Sequence, residues 1–125
     1  LRISYEELLR NYWRNIDPFD DKGQFCDRGD SYRPVIFTQG EQQESEASQS
    51  AVAASRELVQ LMTNIKVQIR PALKFWTAED YHQNFAQRNS LKYNFYRYSC
   101  GRDKRLEDLW GKSARTDRQW SSQEE

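Results

Sequence analysis

Apolar side chains recur with helical spacing near the start of the chain. The stripe has the i, i+3, i+4, i+7 pattern of an amphipathic helix and consists of Tyr5, Leu8, Leu9, Tyr12, Trp13 and Ile16. Ser4, followed three residues later by Glu7, supplies a capping box at its beginning, and Asp17-Pro18 ends the pattern. These positions predict a first helix over residues 4 to 16.

A strand, a long helix and a second strand are predicted next. A polar loop over 24–31 leads into a short strand at 32–37, and Thr38 with Glu41 forms a second capping box. The helix that follows has an inner face built mainly from alanine, at steps of four and three: Ala47, Ala51, Ala54, Leu58, Leu61 and Ile65. Alternating apolar residues predict the second strand over 67–75, interrupted at Pro71.

Shorter patterns complete the chain. Thr77 is expected to cap a helical turn at 78–83, and Gly111 ends a short helix predicted over 103–110. The last 14 residues, 112–125, are polar and are predicted to form a disordered tail, so a single domain is expected over 1–111. Alternating helices and strands predict a mixed α/β protein in two layers, and the remaining strands are expected upstream of Leu1.

Composition narrows the class of protein. The chain has 125 residues and a mass of 15.0 kDa, enough for one domain, and its mean hydropathy of -1.04 predicts a thin core. Its 19 basic residues balance 19 acidic ones and 14% of residues are aromatic, which argues against disorder.

The N-terminal residues and the lengths of the apolar runs bear on the expected location of the protein in the cell. No apolar run approaches the roughly 18 residues that span a membrane, and no signal-peptide core is present. A soluble, cytoplasmic chain without membrane association is therefore expected. The first residue is Leu1 and the only methionine is Met62, which predicts that the chain is cut from a longer protein.

The two cysteines are too few for the disulfide framework of a small secreted domain, so each thiol is considered alone. Cys100 directly precedes a predicted helix start and is flanked by Arg97 and Arg102. The helix dipole and both positive charges favour its thiolate. A small buried hydrophobic side chain is an equally open interpretation. Asp27 disfavours a thiolate at Cys26, which favours an inert residue there.

Asp27 and Tyr32 are candidate site residues. They belong to a polar loop directly ahead of a strand, where rigid scaffolds commonly position functional side chains. A phenol can donate a hydrogen bond, and a carboxyl group can do so when protonated or through a bound water, so the pair could hold one oxygen atom. From the residues alone, a turn with an Asx hydrogen bond and a tyrosine that covers the core is the favoured interpretation.

The sequence contains few signs of a metal site, a cofactor site or a nucleic-acid surface. His82 is the only histidine, no cluster of residues has metal-ligand spacing, and no phosphate loop or nucleotide fingerprint occurs, so neither a metal nor a cofactor is predicted. The segment 88–105 interleaves six basic residues with aromatics, which is typical of a single-stranded nucleic-acid surface. The alternative is core aromatics beside solvated cations, and the zero net charge makes nucleic-acid binding the less favoured interpretation.

Several short motifs occur together in a fixed order. They are Ile3-Ser-Tyr-Glu-Glu-Leu-Leu, Tyr12-Trp13, Asp17-Pro18, Asp27-Arg28-Gly29, Ser31-Tyr32-Arg33 and Ala78-Glu-Asp-Tyr-His-Gln83. The set spans residues 3 to about 111 and resembles the A-type methionine sulfoxide reductases. The resemblance implies a thiol-dependent reductase of methionine S-sulfoxide, free or in peptides. It also implies an α/β (α+β) fold, a two-layer ferredoxin-like sandwich that here lacks its N-terminal strands.

The resemblance assigns roles to individual residues. Asp27 and Tyr32 match the family positions that hydrogen-bond the sulfoxide oxygen, directly or through water. Cys100, in Ser99-Cys100-Gly101, is the candidate resolving residue, which attacks a cysteine sulfenic acid to give a disulfide that thioredoxin reduces. The resemblance gives His82 a supporting role in its loop and gives Cys26 none. A monomer without a bound cofactor is expected.

Two features of the family pattern are missing. The Gly-Cys-Phe-Trp motif that carries the nucleophilic cysteine is absent, and so is the acidic proton donor that lies between it and the first helix. The chain is therefore expected to be the C-terminal part of such an enzyme, inactive by itself and of marginal stability. A non-catalytic binding module that uses segment 88–105 and an inactive remnant stay open as alternatives.

Overall fold

The computed structural model of the chain describes residues 2–59 and 64–121. The helices are α1 (Tyr5–Trp13), α2 (Gly40–Glu57), α3 (Phe85–Arg88), α4 (Ser90–Ser99) and α5 (Arg102–Trp110). The strands are β1 (Gly23–Gln24), β2 (Asp27–Arg28), β3 (Val35–Thr38) and β4 (Gln68–Pro71). Short 3-10 turns at Asp30–Tyr32, Asp80–His82 and Gly111–Ser113 join them. The predicted mixed α/β class is confirmed.

Two small sheets organise these elements. Strands β3 and β4 pair in parallel with Val35 opposite Gln68 and Thr38 opposite Pro71, and α2 forms part of the connection between them. Strands β1 and β2 form a short antiparallel hairpin, with Gly23 opposite Arg28. The sequence predicts only a loop there, because two-residue strands show no alternation that a pattern could detect.

The core lies where α1, α2 and α5 meet beside β3. Trp13, Ala47, Ala54 and Leu106 are fully buried there. The indole Nε1 of Trp13 donates a hydrogen bond to Ser50 Oγ at 2.9 Å, so the buried polar atom of the largest core side chain is satisfied. The small side chains of α2 thus let α1 pack closely against it.

The N-terminal ends of α1 and α2 test the two capping boxes predicted from the sequence. The predicted capping box at Ser4 and Glu7 is confirmed, with both reciprocal hydrogen bonds present, although α1 ends at Trp13 and Leu8 is half exposed. The second predicted box is wrong. Gln39 is the N-cap of α2, and its backbone N–H donates to the side chain of Gln43 at 2.9 Å.

The later part of α2 and the second strand are shorter than predicted. The helix ends at Glu57, so Ile65 lies beyond it, and Leu61 lies outside the described residues. Strand β4 ends at Pro71, and Leu73 and Phe75 are highly exposed instead of pointing alternately into a sheet. The turn at 78–83 forms, but Glu79 rather than Thr77 is its N-cap.

The C-terminal helix matches its prediction closely. Leu106 and Trp110 of α5 are buried, and Gly111 ends the helix at a φ of 59°. Trp110 Nε1 donates to the carbonyl of Ile16 at 3.1 Å, which joins α5 to the segment after α1.

A buried ion pair ties the chain beyond α5 to the helices. The Arg14 side chain is fully buried, and its Nε and Nη2 donate to the two Glu57 carboxylate oxygens at 3.0 and 2.9 Å. Arg14 Nη1 also donates to the carbonyl of Arg118 at 2.7 Å, and the ring of Trp120 covers the guanidinium at 4.4 Å. Ala114 is buried as well. The predicted boundary between residues 111 and 112 stays a prediction, and residues 122–125 lie outside the described residues.

Within residues 2–59 and 64–121, no helix combines the length and apolar character needed to cross a membrane.

Candidate functional site

The hairpin of β1 and β2 presents Asp27 at the surface. Gly23 lies directly against the backbone of Asp27, and a Cβ atom at Gly23 would stand 2.2 Å from the Asp27 carbonyl oxygen. Only glycine permits this approach. Gly29 N–H donates to the carbonyl of Lys22 at 2.9 Å and continues the pairing past the strands. The position of Asp27 is thus set by a backbone contact rather than by its own side chain.

The segment that leads into the hairpin is held on several sides. Asp17 is buried, and its carboxylate accepts hydrogen bonds from the N–H of Phe19 at 3.0 Å and from Arg105 Nε at 2.9 Å. The side-chain amide of Gln24 bonds both backbone polar groups of Asp17. Helix α5 and the hairpin therefore share one anchor at Asp17.

The side chain of Asp27 is in contact with α4. Tyr96 Oη donates a hydrogen bond to Asp27 Oδ1, across 69 positions of the chain. Tyr96 is partly exposed, so the contact lies at the surface and not in the core. No sequence pattern distinguishes Tyr96 from the other aromatic residues of segment 88–105.

Tyr32 lies in the same neighbourhood. It ends the 3-10 turn that follows β2, with its N–H bonded to the carbonyl of Gly29 at 3.1 Å, and it is half exposed. It follows Asp27 by five residues, so both belong to the segment made of the hairpin and this turn. Tyr96 contacts Asp27, and Tyr32 follows Asp27 in the same short segment; these three residues are called here the Asp27 cluster.

The electrostatics of the Asp27 cluster keep Tyr96 protonated. Its hydrogen bond to Asp27, then partial burial and the Asp27 charge, raise the pKa of Tyr96 to about 12, whereas Arg102 opposes the shift. The Tyr96 hydroxyl is therefore a hydrogen-bond donor throughout the neutral range. Arg102 itself stacks on Phe25 at 4.2 Å and donates to the carbonyl of Asn15 at 3.1 Å.

The two cysteines are bonded to each other beside this cluster. Cys26 and Cys100 form a disulfide with their Cα atoms 5.4 Å apart. Cys26 precedes Asp27 in the chain, and Cys100 follows Tyr96 by one helical turn, so the disulfide and the Tyr96 hydrogen bond link the same two segments. Treating each thiol alone misses Cys26 as the partner of Cys100. No sequence pattern of two cysteines 74 residues apart would have shown it.

The basic residues of segment 88–105 are largely engaged within the chain. Arg97 pairs with Asp103 at 2.6 Å, and Arg105 pairs with Asp17 at 2.9 Å. Arg88 donates to backbone carbonyls of the turn at 80–83. The aromatic residues are not core: α4 has no buried residue, and Phe95 and Tyr98 are highly exposed.

His82 is an exposed residue of the turn at Asp80–His82, where its ring packs against Tyr81 with ring centroids 4.1 Å apart. Across the part of the chain that the structure describes, no group of three or more His, Cys, Asp or Glu side chains could hold a metal ion.

Comparison with known proteins identifies the family. The family model described as "Peptide methionine sulfoxide reductase" matches residues 1–114, which include every residue of the Asp27 cluster and both cysteines. The chain belongs to this family. Curated members are similar over most of the chain. The reductase "MsrA 2" of Caulobacter vibrioides is 47% identical over 110 residues, which are 88% of this chain and 55% of that protein.

Two further members extend the comparison. The "MsrA" reductase of Ligilactobacillus salivarius is 50% identical over 93 residues, 73% of this chain and 52% of its own length. The "MsrA/MsrB" reductase of Vibrio cholerae is 39% identical over 122 residues, 94% of this chain and 32% of its own length. The chain thus spans about half the length of several curated relatives and less of the Vibrio protein.

Proposed function

We propose that this chain is the C-terminal part of a peptide-methionine (S)-S-oxide reductase, which reduces methionine S-sulfoxide, free or in proteins, to methionine. Membership of the family supports the reaction class. The observation that carries the proposal is the Tyr96–Asp27 hydrogen bond directly beside the Cys26–Cys100 disulfide, in the segment that also contains Tyr32.

Asp27 and Tyr32 serve the first step in this proposal. A cysteine thiolate attacks the sulfoxide sulfur and forms a sulfur–sulfur bond, and the oxygen takes up a proton and leaves as hydroxide when its bond to the methionine sulfur breaks. The hydroxide then bonds to the cysteine sulfur while the sulfur–sulfur bond breaks, so the products are methionine and a cysteine sulfenic acid. Negative charge develops on the departing oxygen. The Tyr32 hydroxyl donates to that oxygen, and Asp27 reaches it through a water or as the protonated acid, so both lower the barrier by stabilising that charge.

Cys100 serves the second step. Its thiolate attacks the sulfenic acid, a disulfide forms, and the oxygen leaves as water. Thioredoxin, a dithiol reductant, then reduces the disulfide, so no bound cofactor is needed. Because Cys100 is joined to Cys26 in this structure, reduction of that bond precedes any attack by Cys100.

The attacking cysteine belongs to a segment with the Gly-Cys-Phe-Trp motif, which this sequence does not contain. The chain alone is therefore inactive in this proposal. A protein in which this chain follows such a segment is called here the complete reductase. Its upstream part is taken from coding sequence ahead of Leu1 that carries the motif.

We also propose that the β3–β4 sheet is completed by upstream strands into a two-layer ferredoxin-like sandwich. Thr38 carbonyl accepts from Ala72 N–H at 2.8 Å on the β4 side. The alternate carbonyls of Val35 and Phe37 face the other edge, where they accept hydrogen bonds from Tyr12 and Tyr5. An apolar groove beside this edge leaves Leu8 and Phe37 half exposed, which suits cover by another layer.

The test uses the complete reductase in single-turnover assays with methionine S-sulfoxide. Replacing Tyr32 with Phe should slow methionine formation, since the donor to the departing oxygen is lost. Tyr98→Phe is the matched control, because Tyr98 is highly exposed. Equal rates for Tyr32→Phe and the unmodified enzyme would contradict the role of Tyr32. Complete inactivity of the unmodified enzyme would favour an inactive remnant.

A further inference from the structure

Helix α4 is attached to the hairpin by two adjacent links. The Tyr96–Asp27 hydrogen bond and the Cys26–Cys100 disulfide join neighbouring residues of the hairpin to one face of the same helix. Helix α4 has no buried residue that could fix it by packing. Its orientation toward the hairpin therefore depends on these side-chain links and on its junction with α5, where Arg97 pairs with Asp103 at 2.6 Å.

The Tyr96 hydroxyl occupies one oxygen of the Asp27 carboxylate. A hydrogen bond to an ionised acceptor is stronger and more directional than one between neutral groups, so it restricts rotation of the carboxylate. With Oδ1 engaged, the second oxygen stays available to accept from a water, which can donate its other hydrogen to a substrate oxygen. Tyr32, five residues after Asp27, carries a donor of its own, and the positive charge of Arg102 acts to lower the pKa of Tyr96.

We propose that Tyr96 is a positioning residue for the reductase reaction, which orients the Asp27 carboxylate toward the sulfoxide oxygen without contacting the substrate. The inference rests on the proposed function. It adds a third group, contributed by α4, to a site that the family motifs assign to the loop around Asp27 and Tyr32. It also gives segment 88–105 a part in the site. Neither earlier interpretation of this segment, core aromatics or a nucleic-acid surface, gives it such a part.

The contact itself is tested in this chain without any assay of activity. Labelling tyrosine rings with 13C and comparing spectra with Tyr96→Phe assigns the Tyr96 signal. Its pKa, about 12 in the unmodified chain, should fall toward the ordinary value of 10.0 in Asp27→Asn, because the largest cause of the shift is removed. An unchanged titration of Tyr96 in Asp27→Asn would overturn the inference.

The function of the contact is tested in the complete reductase. Tyr96→Phe keeps the ring and removes the donor, so kcat for methionine formation should fall about tenfold while KM changes little, since the oxygen is held most tightly as it departs. Tyr98→Phe, two residues further along α4 and highly exposed, should keep full activity. A Tyr96→Phe enzyme with the kcat of Tyr98→Phe would overturn the inference.

A second variant keeps the shape of the side chain in case Tyr96→Phe misfolds. A fluorinated tyrosine at position 96 ionises at lower pH, and the resulting phenolate would repel the Asp27 carboxylate instead of donating to it. The alkaline limb of the kcat profile should then move to lower pH. A profile identical to that of the unmodified enzyme would overturn the inference.

The same assays separate this inference from the proposed function. Slow turnover in Tyr32→Phe and Asp27→Asn, together with normal turnover in Tyr96→Phe, would overturn only the role of Tyr96. Normal turnover in Tyr32→Phe and Asp27→Asn would overturn the proposed roles of the loop, and the positioning role with them.

Discussion

Cys26 and Cys100 are joined by a disulfide that closes a loop of 74 residues and fastens α4 to the hairpin of β1 and β2. In the chain-entropy model, a cross-link that closes a loop of this length stabilises the folded state by about 4 kcal/mol. Measured stabilisation by disulfides ranges from about 0 to 5 kcal/mol. The bond also fixes the relative position of Asp27 and Tyr96, which lie next to its two ends. The cross-link therefore bears on both stability and the candidate site.

Reduction of this disulfide should lower stability. We expect the unmodified chain to lose up to about 4 kcal/mol of unfolding free energy when urea melts are run with reductant, since the unfolded chain regains its freedom. Cys26→Ser serves as the control, because its melt should not respond to reductant. Thiol labelling of the oxidised chain without reductant would show that the bond is absent and would contradict the structure.

Gly23→Ala should disrupt the hairpin. A Cβ atom at this position would meet the Asp27 carbonyl oxygen at 2.2 Å and Arg28 Cα at 2.8 Å, and backbone atoms cannot turn aside as a flexible side chain can. We expect a loss of a few kcal/mol of stability and displacement of Asp27. Gly29→Ala is the matched control, because Gly29 also has a positive φ but no atom within 4 Å of an added Cβ. Equal losses in urea melts of the two variants would show that the close contact has no effect.

Glu57→Gln should weaken the buried ion pair with Arg14. Removing one partner of a buried pair typically costs about 3–5 kcal/mol, because the other charge is left uncompensated. Glu44, which is exposed on the same helix, provides the control variant Glu44→Gln. The two variants are compared in urea melts at neutral pH, and similar midpoints for both would refute the importance of the pair.

The same pair predicts a pH dependence of stability. Burial alone would raise the pKa of Glu57, but the hydrogen bonds from Arg14 and Ser121 and the Arg14 charge lower it below its ordinary value of 4.5. Its contribution is therefore fully present above pH 4.5 and is lost as the pH falls through the lowered pKa. Melts at decreasing pH should show a smaller acid loss in Glu57→Gln than in the unmodified chain. An equal acid loss in both would assign that loss to other carboxylates.

Ser50→Ala should leave the Trp13 indole N–H unsatisfied in the core. Both groups are buried and lie 2.9 Å apart, so we expect a loss of about 1–3 kcal/mol. Ser48→Ala, exposed on the same helix, should stay within about 0.5 kcal/mol of the unmodified chain. Indole N–H shifts in NMR spectra would report the lost hydrogen bond, and an unchanged Trp13 signal would contradict it.

Cys100→Ser should stop the complete reductase after one turnover. The first methionine can form, because the attack uses the upstream thiol, but no resolving thiol follows it. Rapid-quench assays with thioredoxin should show one equivalent of methionine and then no further product. Tyr98→Phe again supplies the control, with continuous turnover. Sustained turnover of Cys100→Ser would remove Cys100 from the recycling step.

The sequence by itself determined features that depend on near neighbours. The Ser4–Glu7 box and the buried stripe of α5 were predictable, because capping bonds and helical periodicity involve residues within one or two turns. The order of motifs likewise gave the family without any coordinates. The local pattern was misleading at Thr38. The N-cap is Gln39 instead, and its backbone N–H bonds to the side chain of Gln43.

Only the tertiary structure decided which distant residues meet. The Cys26–Cys100 bond, the Tyr96–Asp27 hydrogen bond and the close approach at Gly23 each depend on where whole segments pack. No local pattern encodes these pairs, since a tyrosine or cysteine in isolation fits a core, a surface or a site equally well. Their chemistry follows from the neighbours that folding brings to them, which is why the motifs could suggest Asp27 and Tyr32 as candidates but could not suggest Tyr96.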